Sequence, residues 1–359
     1  MGSRIKDDAT TMPYSYASVL RWDPPESWTR VLTVDAHTAG EPLRVIFSGF
    51  PELSGETILA RRREARERYD GIRRSLMWEP RGHADMYGCV VLPPVTPEAD
   101  FGVLFTHNEG FSTMCGHGII GVTTVVLELG LFPLREPETR LGIDTPAGFV
   151  EARGVVVDGR VRSVSFTNVA SFVADRDARL AVPGFGEVRY DLAFGGAYYA
   201  YVDAADVGLE LVPDQYGRII EAGRAVKEAF RGTRTIEHPG DPDLGFLYGT
   251  IFVAPPADPA HHSRNVCVFA DGEVDRSPTG TGVSGRAAIH HARGDLSTGR
   301  SITIESILGT TFDVAVTGTT RVGSIPAVVP EVTGEAFLTG RNEIFIDPDD
   351  PLRGGFIFR

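Results

Sequence analysis

Cysteine is scarce. Three residues in a chain of 359 (Cys89, Cys115, Cys267) are too few, and odd in number, for a secreted disulfide framework. They fit a reducing compartment, so the cytoplasm is the expected location. Basic residues are outnumbered, 35 to 48, which leaves a net charge of −13 and disfavours a nucleic-acid or anionic-membrane surface. No run approaches the roughly 18 apolar residues of a membrane span. The N-terminal MGSRIKDDATTMPYS is charged early and lacks the apolar core of a signal peptide. HExxH, paired CxxC, GxSxG and GxxxxGKS/T are all missing, and His261–His262 and His290–His291 are adjacent pairs whose side chains diverge. Neither a metal nor a cofactor is expected. What is present, 42% hydrophobic and 23% charged residues, is an ordinary globular composition. The length predicts about two domains.

Residues 1–28 have little periodicity and read as a tail. Val31–Val34 and Leu43–Phe47 read as strands. Ser54–Leu76 reads as a helix rich in arginine, taken as a solvated face with a Glu64–Arg68 pair rather than an RNA contact, because the whole chain is acidic. Short strands follow at Gly88–Leu92, Gly102–Thr106, Phe149–Glu151 and Val161–Asn168, interrupted by a helix over Gly116–Leu129 that stops at Gly130. Further strands are expected at Tyr198–Val202, Gly249–Val253, Asn265–Ala270, Ile302–Glu305, Thr311–Val316, Ala327–Thr333 and Glu335–Gly340. A second Gly-rich helix is expected over Gly282–Ala292, ending at Gly294. Many strands with few helices indicate an α+β architecture.

The chain echoes itself. GVLFTHNEGFSTMCGHGIIGV (102–122) and NVCVFADGEVDRSPTGTGVSGR (265–286) each run from an apolar strand through a polar turn into a Gly-rich helix start. Aligned without a gap, Cys115 pairs with Thr279, Phe105 with Phe269, Glu109 with Glu273, Gly116 with Gly280, Gly118 with Gly282, and Gly121 with Gly285. Two related halves facing each other would form a cleft with a helix N-terminus on either side. Chance similarity between Gly-rich turns is the competing explanation.

Each helix start offers free N–H groups and the positive end of a helix dipole, and its small residues allow close approach by an anion. Cys115 lies just ahead of one, where the thiol pKa is expected to fall from about 8.5. His117 stands two residues on. Two readings of Cys115 stand at this point: a reactive thiol, or a small buried hydrophobe. Cys89 and Cys267, in apolar strand patterns, read as core. Thr279, in the matching place, has a hydroxyl too weakly acidic to act as a base. Asp275 either binds an amine or fixes its turn. Gly280–Gly285 also matches GxGxxG, with Glu305 20 residues beyond, but nine residues separate it from the preceding strand, and no βαβ alternation surrounds it.

MCGHG (114–118) and DRSPTGTG (275–282) resemble the two signature segments of the proline racemase family. DAHTAGEPLRV (35–45), EPRGHADMYG (79–88), FGGAYYAYVDA (194–204), FLYGTIF (246–252) and DDPLRGGFIF (349–358) extend the resemblance from about residue 30 to the C-terminus. It implies a diaminopimelate-epimerase-like α+β fold of two pseudo-symmetric domains, each a β-barrel-like sheet around a central helix. The implied division is a first lobe, 29–168, carrying Cys115 and a second lobe, 169–340, carrying Asp275 and Thr279. Residues 341–359 would pack back on the first.

In the family's racemases and epimerases, two cysteines flank the substrate Cα. By resemblance Cys115 is the first of these. Gly116, His117, Asp275, Gly280 and Thr281 fall at substrate-binding positions. Thr279 replaces the second cysteine, a departure that resembles the branch of the family that dehydrates trans-3-hydroxy-L-proline without a cofactor. The implied partner is a small imino acid, not a nucleic acid or a membrane, and a homodimer is common among related folds. Two other readings remain: a 4-hydroxyproline epimerase or proline racemase using one thiol, and a non-catalytic imino-acid-binding protein.

Overall fold

The computed structural model describes residue 18 and residues 22–358. Most of the expected tail therefore lies outside the described residues. Of its last part, Trp22 packs edge-on against Phe345 and Trp28. Among the described residues seventeen strands join by hydrogen bonds into one connected sheet system. They greatly outweigh the helices, so the class is α+β.

Helices α1 (Ile58–Arg68) and α2 (Asp70–Met77) correspond to the one expected over Ser54–Leu76. The Thr57 hydroxyl caps α1 by accepting from Ala60 N at 3.0 Å. The helix breaks at Tyr69 (φ −128°, ψ 15°), where Asp70 opens α2 and pairs with Arg73 and Arg74, as a carboxylate at a helix N-terminus should. The arginines do not form a uniformly solvated face. The Glu64–Arg68 pair is present at 2.9 Å, but Arg62 and Arg73 are buried and donate to the carbonyls of Phe111, His107 and Asn108.

Helix α3 (Gly116–Glu128) is buried from Gly116 through Leu127. Strands Thr29–Thr38, Glu41–Ile46, Gly148–Val157, Arg160–Thr167 and Ala336–Ile346 enclose it. Helix α4 (Tyr216–Thr233), which the sequence analysis did not anticipate, lies on strands Leu247–Ala254 and Ser263–Phe269. Helix α5 (Gly280–Arg293) is enclosed by strands Phe172–Val182, Gly186–Phe194, Thr311–Val322 and Ile325–Gly334. It begins two residues earlier than expected, because Val283 N already donates to Thr279 O at 2.7 Å. It ends at Gly294, whose φ of 85° is a left-handed cap.

All three of Gly280, Gly282 and Gly285 therefore lie inside a helix, not in a phosphate-binding turn. A side chain at Gly285 would collide with Tyr201, whose hydroxyl donates to Gly282 O at 2.8 Å. Glu305 is occupied structurally by the backbone N–H groups of Ala257 and Asp258 and by Arg264.

Two seams join the halves of the chain. Strand Ile325–Gly334 pairs with strand Arg160–Thr167, matching Glu331 with Thr167. Strand Ala336–Ile346, longer than the expected Glu335–Gly340, pairs with strand Thr29–Thr38 along its length. Beyond it, Phe356 bridges Glu79, and the Ser75 hydroxyl donates to Arg353 O at 2.6 Å.

Candidate active site

The starts of α3 and α5 meet. A Cβ built on Gly116 would lie 2.5 Å from the Cα of Gly280. Cys115 and Thr279 occupy the two N-cap positions, one residue ahead of each glycine. Beside them is a small cavity. Cys115, Gly116, His117, Asp275, Thr279, Gly280 and Thr281, all singled out in the sequence, line it. Met114, Tyr87, Tyr199, Tyr248 and Phe269 complete the wall.

The Cys115 sulfur accepts from Gly118 N at 3.2 Å and lies 3.2 Å from His117 Nδ1. The helix start thus directs an N–H group at the sulfur, as anticipated. The expected fall in thiol pKa does not follow. Cys115 is only 5% exposed, and burial drives its pKa well above the usual thiol value, with the charges of Asp275 and Glu41 adding to the rise. The hydrogen bonds from Tyr87 and Gly118 oppose this and are outweighed. His117 is also buried, which lowers its pKa to about 3 and leaves it a neutral imidazole. Cys89 and Cys267 are buried core thiols, as read from the sequence.

Asp275 is buried, and its pKa rises to about 6, chiefly by desolvation. Its carboxylate accepts from Ser277 N at 2.7 Å, so both roles open in the sequence are compatible with its position. Thr279 is strained. Its φ of 68° and ψ of 94° are rare for a β-branched residue. Its hydroxyl lies close enough to help stabilise the Asp275 and Cys267 anions, but makes no hydrogen bond of ordinary geometry among the described residues. Thr281 is paired with Tyr199 through hydroxyls 2.7 Å apart.

Sequence reasoning missed four polar residues here. Glu41 is fully buried, accepts from Arg276 N at 2.7 Å, and has a pKa raised by burial and by Asp275. Tyr87, Tyr199 and Tyr248 form a phenolic wall delivered by separate strands and loops, and the Tyr248 hydroxyl is buried without a partner among the described residues. Their one signal was membership in the segments of family resemblance. Chemically, the site can hold a carboxylate against two helix N-termini, face a cation with Asp275, and present one thiol to the carbon between them.

The sequence matches the proline racemase family profile over residues 33–357. It is 46% identical to a trans-3-hydroxy-L-proline dehydratase of Colwellia psychrerythraea, over 94% of this chain and 96% of that protein. It is 48% identical to a 3-hydroxyproline 2-epimerase of Burkholderia multivorans, over 91% and 98%. The crystal structure of a hydroxyproline epimerase from Agrobacterium vitis with bound trans-4-hydroxy-L-proline superposes with a TM-score of 0.88 at 34% identity, covering 92% of this chain and 96% of that one.

Proposed function

The chain belongs to the proline racemase family, and we propose that it is a trans-3-hydroxy-L-proline dehydratase that works without a cofactor. The observation that carries this reading is the pairing of one thiol, Cys115, with one hydroxyl, Thr279, at the two N-caps beside a single cavity. Relatives named for this activity support it.

In trans-3-hydroxy-L-proline the 3-hydroxyl is trans to the carboxylate and so shares a ring face with the Cα hydrogen. A single group on that face serves both steps. The Cys115 thiolate takes the Cα proton, and the electron pair of that C–H bond moves onto the carboxylate as an enediolate; it then returns to form the Cα–C3 double bond as the C3–O bond breaks. The departing hydroxide leaves as water with the proton Cys115 has just accepted. The resulting enamine tautomerises to Δ1-pyrroline-2-carboxylate. The helix starts at Gly116–His117 and Gly280–Thr281 hold the carboxylate and the negative charge that develops on it. Asp275 receives the substrate's ammonium. That cation offsets the carboxylates that raise the Cys115 pKa, so the substrate assists in forming its own base.

An epimerase needs a second proton carrier on the opposite ring face, and the Thr279 hydroxyl is not one at neutral pH. We assign Cys115 and Thr279 to the two lobes 29–168 and 169–340, with the catalytic cavity where they meet. The three buried free thiols fit a cytoplasmic enzyme.

The test is incubation of purified protein with trans-3-hydroxy-L-proline, following Δ1-pyrroline-2-carboxylate with o-aminobenzaldehyde. Trans-4-hydroxy-L-proline and L-proline are followed in parallel by polarimetry. Pyrroline from the 3-hydroxy substrate alone is expected. Rotation change without pyrroline would replace the dehydratase with an isomerase.

A further inference from the structure

Tyr248, a wall of the catalytic cavity, also lines an open groove of about 440 Å³. On a chain of net charge −13, five arginine and lysine side chains line the groove against one lining carboxylate, Glu109; Arg231 also pairs with Glu228 and Arg234 with Asp175, which leaves Arg62 and Arg66 as its open cations. Glu109 is already paired with Lys227 at 3.2 Å and Arg231 at 3.5 Å.

Arg62 is the decisive residue. It is 6% exposed, yet it has no carboxylate partner among the described residues. Only its Nε donates, to Phe111 O at 2.8 Å, and its terminal N–H groups reach the groove. Burial and the neighbouring Arg66 charge lower its pKa, and the more distant charge of Asp243 offsets them only in part. A buried cation without a counter-ion is costly, and the cost falls when an anion arrives. Arg66 stands one turn further along α1 on the same groove. Its one carboxylate partner among the described residues, Glu67, is a loose and exposed contact at 3.9 Å. The Phe246 ring lies under the Arg62 guanidinium, 5.8 Å from its carbon to the ring centroid. The site thus combines guanidinium N–H groups that make no hydrogen bond to protein among the described residues with an apolar floor.

We propose that this groove binds a small organic anion, with a carboxylate or phosphate group held by Arg62, Arg66 and Arg231 and its carbon body resting on Phe246. Planar guanidinium groups recognise both kinds of oxyanion through paired N–H donors. Because Tyr248 walls both the groove and the catalytic cavity, the occupant sits back to back with the substrate.

Isothermal titration calorimetry on the intact protein tests the proposal directly and requires no turnover. Benzoate, phenyl phosphate and inorganic phosphate are titrated at constant ionic strength against a chloride control. The expected result is saturable binding of one benzoate or phenyl phosphate per chain, tighter than inorganic phosphate. The stronger of the two organic ligands identifies the preferred oxyanion. In the double variant R66Q/R231Q the Kd should rise at least about fivefold, as loss of charge-assisted hydrogen bonds requires. Phe246→Ala should weaken the organic ligands and leave inorganic phosphate unchanged. Arg66 and Arg231 are half-exposed and lie outside the catalytic cavity, so these variants should retain the fold even where Arg62→Gln does not. Absence of saturable binding overturns the proposal. So does a Kd unchanged in R66Q/R231Q, which would place the anions in the catalytic cavity instead.

Discussion

Gly116 and Gly280 touch backbone to backbone. A Cβ on the first would sit 2.5 Å from the Cα of the second, and a Cβ on the second 2.6 Å from the Cα of the first. No pair of larger residues allows two helix N-termini to approach so closely. Their positive ends therefore converge on one small cavity, whereas an ordinary helix start faces a cavity alone.

Gly116→Ala or Gly280→Ala should force the two helix starts apart. Overpacking of this kind costs about 1–3 kcal/mol. Urea denaturation should show that loss, and pyrroline formation should fall further than stability does, because the carboxylate loses one of its two sets of donors. Full activity in either variant would contradict convergence of the helix starts on the substrate.

Cys115→Ser should reduce kcat by about 10²–10⁴, the range lost with a positioned acid–base group, while circular dichroism stays unchanged. The raised thiol pKa has a second consequence. The resting thiol must give its proton to solvent before it acts, so kcat/KM should climb with pH above neutrality. Iodoacetamide labelling of the empty enzyme should be slow at pH 7. Rapid labelling at that pH would show that the thiolate already prevails in the resting site.

Asp275→Asn separates stability from function. The folded-state pKa of about 6 lies above the ordinary 3.8, so the folded protein favours the protonated form. The associated stability is fully present below pH 3.8 and is lost as pH rises through 6. At 1.36 kcal/mol per pKa unit the loss approaches about 3 kcal/mol as an upper bound. The asparagine variant should abolish this decline between pH 4 and pH 7 in denaturation experiments. Its KM for substrate should nonetheless rise about 10- to 100-fold, the cost of losing a charged hydrogen bond to the ammonium. In the unmodified enzyme, kcat/KM should drop below pH 6 as Asp275 takes up its proton.

Thr279→Gly should relieve a left-handed backbone conformation that a β-branched residue tolerates poorly, a strain of about 1–2 kcal/mol. A higher denaturation midpoint with slower pyrroline formation is the expected pair of results. Slower formation without added stability would argue against strain at this position.

Thr279→Cys places a thiol at the other N-cap. In deuterium oxide this variant should convert L-proline or trans-4-hydroxy-L-proline into the Cα-inverted, Cα-deuterated product, detected by chiral chromatography with mass spectrometry, while the parent protein should form none. No incorporation would mean that a second thiol is insufficient for exchange on the opposite ring face.

The site was legible where its chemistry is local in sequence. Cys115, Gly116 and His117 stand together at one helix start and Thr279, Gly280 and Thr281 at another, and the ungapped echo between the segments set Thr279 in the place that matches Cys115, although the second helix was expected to begin only at Gly282. Tyr87, Tyr199, Tyr248 and Glu41 were not legible, because each reaches the cavity or its surroundings from a distant segment whose own pattern is simply apolar or turn-like. The direction of the Cys115 pKa was misread for a physical reason. The helix start is a short-range dipole effect visible in sequence, whereas burial and the fields of Asp275 and Glu41 exist only once the chain is folded. The helix over Tyr216–Thr233 went unrecognised because its start has no side-chain cap. The arginines of α1 and α2 looked alike in sequence, and only packing separates the exposed Arg68 from the enclosed Arg62 and Arg73.

Strand Thr29–Thr38, a wall of the sheet around α3, has residues 336–346 as one of its two neighbours. During synthesis, that neighbour does not exist until nearly every other element has been made. The half of the molecule that carries Cys115 must therefore leave the ribosome with an unsatisfied strand edge, and must keep that edge from pairing elsewhere until residue 346 emerges. Emergence of residue 346, rather than translation of the first half, sets the earliest moment at which the thiol acquires its finished surroundings.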